Sequence, residues 1–244
     1  MKIQKALIIR RSQLPLSMEY AENCIESCEK FKIPYEVINA VEFLSCEEAF
    51  ESVGTFKQKS YIPKKDGHCN CHASHIKCWK RIIELNKACI ILEHDAVIKG
   101  DVLNIDIVDD TVTTFGLRVV NLDDYNPPAP ARELVEIKSS MGTHAYGITP
   151  KTAQWLWEDV RDNGVADCVD NWLMKYTRSG LPLFMCEPPQ AVSWARISTM
   201  DLSIDTSKEE LKSGKHYSEV HNNPSGFTQG WLDGFNDIKN KTVI

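Results

Sequence analysis

The sequence predicts an α/β fold: one domain on a mostly parallel central sheet over residues 1–198, with a C-terminal tail, residues 199–244, packed on the same domain. Three observations lead there. Strand and helix signals alternate through the first third of the chain. Ala88-Cys89-Ile90-Ile91-Leu92 is an uninterrupted apolar run, which suits a central strand covered on both faces. No repeat, low-complexity tract or linker divides the 244 residues, a length for one α/β domain or at most two small ones.

In order, Ala6-Leu7-Ile8-Ile9 reads as the opening strand. Ser17 is placed to cap a helix running to about Lys32, with Ala21, Cys24, Ile25 and Cys28 on one stripe. Pro34 ends it, and Tyr35–Ile38 is a second strand. Ser45-Cys46-Glu47-Glu48 has the form of a capping box before a short helix. A longer helix is expected from His72 to about Asn86, its apolar side made by Ile76, Trp79, Ile82, Ile83 and Leu85. The apolar run at 88–92 follows and stops on Glu93-His94-Asp95. Val112–Leu117 reads as one strand, the Pro-rich stretch 126–130 as a loop, and His144–Ile148 as another strand. Thr149-Pro150 is a strong helix start, because proline at the first helical position loses no hydrogen bond; that helix should end near Gly164. A further helix is expected over about 167–179 and a last strand pair within 182–192.

Composition narrows the function. Hydrophobic content of 43% and charged content of 25% are those of a water-soluble globular chain. No apolar run approaches the roughly 18–20 residues needed to span a bilayer, and the apolar stretch after Met1 is too short for a signal peptide. The expected location is the cytoplasm. A net charge of −6 gives no general attraction for nucleic acid, although Lys57, Lys59, Lys64 and Lys65 cluster around Tyr61. Such a run is usually a solvated loop; a phosphate-bearing partner is its functional reading. The nine cysteines follow no regular spacing, so reduced thiols are expected.

Three stretches carry possible chemistry. Glu93-His94-Asp95 puts two carboxylates at the carboxyl end of a buried strand, where open α/β sheets gather their ligands. Such a pair suits a hard divalent cation shared with a diphosphate, although polar residues end many strands. Gly67–Cys78 offers six potential zinc ligands within eleven residues. Its spacings do not give two ligand pairs separated by a loop, and Cys71, His75 and Cys78 share a helix face where packing explains them equally well. Asp167-Cys168-Val169-Asp170 opens a helix. N-capping is the bland reading for Asp167, while Asp170, one turn in, is free to act as a proton acceptor.

Together these stretches resemble glycosyltransferase family 25. The resemblance lies in Gly67…Cys71-His72-Ala73-Ser74-His75…Trp79, followed by Ile90-Ile91-Leu92-Glu93-His94-Asp95. It continues in Gly142-Thr143-His144-Ala145-Tyr146-Gly147-Ile148-Thr149-Pro150, Val169-Asp170 and Glu187-Pro188-Pro189. The matches keep their order from about residue 5 to 193. One departure is His94, where the family usually has Asp. The resemblance implies a GT-A-like, Rossmann-like fold, a UDP-sugar donor, Mn²⁺ or Mg²⁺, and inversion at the anomeric carbon.

On that basis Asp95 is the expected first metal ligand and Glu93 its assistant, with His216 and His221 of the tail as candidates for a further ligand. Asp170 is the expected base. Arg10 and Arg11 are placed for the uracil or the diphosphate, and Ser74 and His75 for the donor side. Lys57, Lys59 and His144 are candidates to meet the acceptor. A lipopolysaccharide or other glycan hydroxyl is the family's usual acceptor. The alternatives are 5-hydroxymethylcytosine in phage DNA, with the host cytoplasm as the site of action, a nucleotide-sugar-binding module without catalysis, and a zinc-organised interaction protein.

Overall fold

The computed structural model describes residues 1–193 apart from 64, 120–121, 132, 141 and 175–178. The candidate ligands His216 and His221, and the expected boundary at 198, lie outside the described residues. The elements are β1 (Lys5–Arg10), α1 (Pro15–Lys30), β2 (Tyr35–Asn39), α2 (Cys46–Glu51), α3 (Asp66–Leu85), β3 (Cys89–Glu93) and β4 (Ala96–Ile98). They continue with β5 (Val112–Thr114), β6 (Gly116–Arg118), β7 (Glu133–Ile137), β8 (Ala145–Ile148), α4 (Pro150–Asn163), α5 (Val169–Leu173), β9 (Leu183–Glu187) and β10 (Ala191–Ser193).

Seven strands form the central sheet in the order β2-β1-β3-β8-β5-β9-β7. The α/β class and the mostly parallel sheet are as expected: β1, β2, β3, β5 and β9 run one way, and β8 and β7 run against them. The apolar run at β3 is its fully covered middle, with Cys89 to Leu92 all at 0% exposure. One apolar layer, under α2, α3, α4 and α5, centres on Trp79, Tyr146 and Phe50. A second, on the opposite face, holds Ile8, Ile90, Phe115 and the buried cysteines of α1.

The stretch 112–117 is two strands rather than one. Its break at Phe115 is a crossing between sheets: Phe115 N–H donates to Ala145 on the central sheet, while its carbonyl accepts from Gln190 and Ala191. The same crossing recurs between β3 and β4 and between β9 and β10. The three continuations make a small second sheet, β4-β10-β6. For the same reason the expected strand pair within 182–192 is two strands that sit in different sheets.

Other local differences have clear causes. Helix α1 starts at Pro15 with Leu14 as an N-cap that makes no side-chain bond; Ser17 instead accepts the Arg11 N–H at 3.0 Å. Helix α3 begins at Asp66, a turn and a half before the expected start, because its polar first turns are buried against the loop after β2. There Asn70 receives the Leu44 N–H and donates to the Leu44 carbonyl. Cys168, rather than Asp167, is the N-cap of α5, and Asp167 Oδ1 accepts the Cys168 N–H. The capping box at Ser45–Glu48 and the Thr149-Pro150 start with its Gly164 stop are as expected. Cys46 and Cys69 form a disulfide joining α2 to α3, against the expectation of reduced thiols throughout. Their separation of 23 residues carries no framework signal; the packing of α2 on α3 brings them together.

Candidate active site

The carboxyl ends of β1, β2 and β3 border a cleft of about 430 Å³. That is within the range of small-molecule pockets, roughly 300–1,000 Å³. The first two turns of α3 form its other wall. Arg11, Phe43, Cys71, Ser74, His75 and Glu93 are among the residues that line it. The position is the ligand edge of an open α/β sheet.

Strand β8 explains what stands at the inner end. It runs antiparallel to β3, so the residues just before it, Thr143 and His144, arrive at the edge where β3 finishes. The Glu93 N–H donates to the His144 carbonyl at 2.9 Å. The Thr143 hydroxyl oxygen lies 2.7 Å from Glu93 Oε1 and 2.6 Å from Asp170 Oδ1. One hydroxyl has one hydrogen, so it donates to one carboxylate at a time. Both short contacts hold together when the second carboxyl carries a proton of its own.

Their surroundings push the two carboxyls in opposite directions. Burial by itself raises Glu93, but the contact with His75 and the Thr143 hydrogen bond outweigh it and hold the carboxyl down to about 2. Asp170 is pushed the other way, by loss of water and then by the Glu93 charge, with Thr143 opposing in part. It nevertheless keeps an open side to solvent. Two carboxylates driven apart in this way divide into one fixed anion and one proton-exchanging group.

A chain of buried rings stands behind Glu93. Trp79 Nε1–H donates to the Tyr146 hydroxyl at 2.8 Å, and that hydroxyl meets His75 Nδ1 at 3.0 Å. Because the Tyr146 oxygen accepts from Trp79, its own proton is available for Nδ1. In that arrangement Nε2 carries the ring proton and faces Glu93 Oε1 at 3.4 Å. All three rings are fully buried, and burial keeps the Tyr146 hydroxyl protonated by raising it well above its ordinary value. His72 acts elsewhere, its Nδ1 bonding the Asp167 carbonyl at 3.0 Å and so fastening α3 to the turn that presents Asp170. Burial lowers His72 to about 3, so it stays neutral.

Asp95 sits where the chain crosses from β3 to β4. Ser193 donates to its Oδ2 at 2.8 Å, and its Oδ1 is buried with no hydrogen-bond partner. His144 lies between the two acidic positions. A Cβ at Gly116 would come within 2.1 Å of its Nε2, and one at Gly142, where φ is +78°, within 2.9 Å of its Nδ1. The ring therefore fits only over glycines. Burial lowers His144, against the opposing pull of Asp95, Glu93 and Asp170.

The structure thus brings Glu93, Asp95, Asp170, His75 and His144 together. His144 is only 6% exposed, which places it inside the cluster rather than on an acceptor-facing surface. Ser74 lines the cleft while its hydroxyl accepts the Val41 N–H and donates to the Asn70 carbonyl, holding the loop after β2 against α3. Arg11 faces the cleft, paired with Glu42 at 3.5 Å and lying 4.7 Å over the Phe43 ring. Arg10, the next residue back along β1, bonds Asn39 and is not among the cleft residues. Lys57 and Lys59 do not line the cleft either, and Lys57 pairs with Glu47 at 2.8 Å. His94 stacks on Tyr20 of α1, ring centroids 5.9 Å apart, which gives a role to the residue standing in place of the family's Asp.

Sequence reading missed Thr143 and Tyr146, although both lie inside the block Gly142–Ile148. Nothing in a strand's own residues says that it runs antiparallel and so delivers its preceding turn to the site. Phe43, with φ of +60° and 42% exposure, was missed as well; a bulky residue in that backbone region is a sign of a special position.

The donor set fits a hard divalent cation. Asp95 Oδ1 is a buried oxygen without a partner, and Glu93 Oε2 makes no hydrogen bond among the described residues. The fold and site are those of an open α/β sheet whose ligand edge carries a cleft with carboxylates at its inner end. The chain belongs to glycosyltransferase family 25 (LPS biosynthesis protein), whose model matches residues 16–169, and it is a glycosyltransferase. The match runs from α1 to the residue before Asp170. Family membership carries with it a nucleotide-sugar donor and a glycan acceptor. The chain is also similar to a solved structure, a glycosyltransferase involved in the glycosylation of the major capsid of PBCV-1, at 10% identity and a TM-score of 0.40. That similarity covers 80% of this chain and 94% of the other. No curated protein matches the chain. Among the described residues no helix is long and apolar enough to cross a membrane.

Proposed function

We propose that the protein is an inverting, metal-dependent transferase that moves a sugar from a UDP-sugar to a hydroxyl of lipopolysaccharide or another glycan. The observation that carries this reading is the Thr143 hydroxyl set between Glu93 and Asp170, at the inner end of the cleft. The donor nucleotide lies in the cleft, with Arg11 meeting its anionic or base portion. Asp95, with help from Glu93, would hold Mn²⁺ or Mg²⁺, which when bound would neutralise charge on the leaving diphosphate.

The acceptor hydroxyl approaches from the open side of Asp170. Its oxygen forms a bond to the anomeric carbon as the bond from that carbon to the phosphate oxygen breaks. The electron pair leaves with the nucleotide, and the acceptor proton passes to the Asp170 carboxylate. A carboxyl raised from its ordinary value is a better base for this step than a free aspartate. Thr143 keeps Asp170 aligned, and the Trp79-Tyr146-His75 chain fixes the His75 ring that faces Glu93. Lys57, paired with Glu47 and outside the cleft, lends no support to a DNA acceptor.

A thermal-shift screen of UDP-sugars with and without Mn²⁺ tests the donor. A ligand that binds only the folded state raises the melting temperature by mass action. One UDP-sugar should do so, more strongly with Mn²⁺ present. If every UDP-sugar leaves the melting temperature unchanged in both conditions, the donor assignment fails.

A further inference from the structure

The six candidate ligands between residues 68 and 78 separate into different fates. Cys69 is bonded to Cys46, His72 is held by the Asp167 carbonyl inside an aromatic box, and Cys78 is buried in the core. His68 lies half-buried on the first turn of α3, its ring meeting the Lys65 carbonyl. Those four cannot build a closed structural zinc site. The remaining two, Cys71 and His75, are four residues apart on α3 and so project from one helix face. Glu93 comes up to them from the end of β3. The Cys71 sulfur, a His75 ring nitrogen and a Glu93 oxygen all lie within 4.8 Å of one another.

We infer that Cys71, His75 and Glu93 form a site for a borderline-soft divalent cation of the zinc class, with its fourth position open to the donor cleft. Three features point to a ligand there. First, His75 is at 0% exposure, and its Nε2, which faces Glu93, makes no properly aligned hydrogen bond. Second, the set combines thiolate, imidazole and carboxylate, which favours zinc over magnesium. Two anionic ligands also balance the charge of a divalent cation. Third, all three residues line the cleft, so a fourth ligand can be water or substrate, as in zinc sites with three protein ligands.

The histidine is held as a metal ligand requires, with its second nitrogen engaged by Tyr146. A cation on Nε2 would require the ring proton on Nδ1, as the donor to the Tyr146 oxygen, with the Tyr146 hydrogen turned off the ring. Bonds to zinc of about 2.0–2.3 Å leave neighbouring ligand atoms about 3.3–3.8 Å apart. The Nε2 to Oε1 distance is already 3.4 Å, so the movement falls on the Cys71 side chain. The site stands apart from the hard-cation site assigned to Asp95 but shares Glu93 with it. Binding of a zinc-class ion therefore withdraws Glu93 from the donor side.

Cobalt(II) is the probe. The full-length protein, freed of metal by a chelator and kept reduced enough to protect free thiols, is titrated with Co²⁺ and read by absorption. The expected result is a thiolate-to-cobalt charge-transfer band that saturates at one equivalent. Zn²⁺ should abolish it, and a large excess of Mg²⁺ should leave it in place. Cys71→Ser should lose the band, whereas Cys168→Ser, altered at a neighbouring free thiol, should keep it. Glu93→Gln is the second variant and should weaken cobalt binding at least tenfold; circular dichroism without metal verifies that each variant is folded. Absence of the band in the wild type, its persistence in Cys71→Ser, or its loss in Cys168→Ser overturns the assignment. The spectrum reads no sugar transfer, so an inactive protein that binds cobalt leaves this inference standing. An active one that shows no band removes this inference alone.

Discussion

The two halves of the central sheet contribute to the site in different ways. Strands β1, β2 and β3 are parallel neighbours in continuous register, Ile9 pairing with both Ile38 and Glu93. Their ends and the adjoining loops make a cleft that carries Glu42, Asp66 and Glu93 beside one paired arginine. From β8 onward the sheet is mixed, β8 and β7 running against the parallel pair β5 and β9, and β5 and β9 run on into a second sheet. That half supplies Thr143, His144 and Asp170, and its second sheet supplies Ser193 to hold Asp95. Parallel strands build the cleft; the turn before the reversed strand brings Thr143 and His144 to its inner end, where Thr143 meets Asp170 of α5. Glu93, at the end of β3 and bonded across to β8, belongs to both.

This division predicts a split in kinetics. Thr143→Val removes the hydroxyl between Glu93 and Asp170 while preserving shape. Hydrogen bonds to charged groups are worth about 1.5–3 kcal/mol, so kcat should fall roughly 10- to 100-fold with donor-induced melting shifts unchanged. Arg11→Ala, in the parallel half, should do the reverse: donor affinity drops about tenfold, near 1.4 kcal/mol, and kcat stays close to wild type. A Thr143 variant that loses donor binding, or an Arg11 variant that loses only kcat, would erase the distinction.

Smaller effects concern stability. Gly116→Ala places a Cβ against the His144 ring. Overpacking of this kind costs about 1–3 kcal/mol, read by denaturant unfolding, and the displaced ring should lower kcat as well. Ser45→Ala breaks the capping box of α2, for about 1 kcal/mol and a drop in melting temperature of about 2–4 °C. Sugar transfer by the folded protein should be untouched. Loss of activity in the Ser45 variant would mean that the α2 region takes part in more than support.

Much of the parallel half was legible in the sequence because its signals are local. The apolar run before Glu93, the capping box at Ser45 and the Thr149-Pro150 start each depend on a few adjacent residues. The second sheet was not legible, since β4, β6 and β10 have three residues each and exist only through pairing with distant partners. Residues 112–117 have the apolar content of one strand, and only the bonds of Phe115 to two sheets divide them. At the site, Glu93, Asp95, Asp170 and His75 were singled out from residue type, position and the family resemblance, and the structure brings them together. Thr143 was not, because its place depends on the direction of β8. The disulfide was hidden for a similar reason: it depends on how α2 lies on α3.

The central claim is that Asp170 accepts the acceptor proton while Glu93 remains an anion. The direct measurement is the rate of sugar transfer at saturating donor, across pH, for wild type and Asp170→Asn. For the wild type, activity requires the ionised carboxylate, so the rate should fall as the pH drops through the Asp170 pKa. Burial and the Glu93 charge set that pKa above the ordinary aspartate value. Asp170→Asn should lose about 10²- to 10⁴-fold in rate, lose that acid limb, and bind donor as before. A variant that keeps near wild-type rates, or one with an unchanged acid limb, would contradict the account.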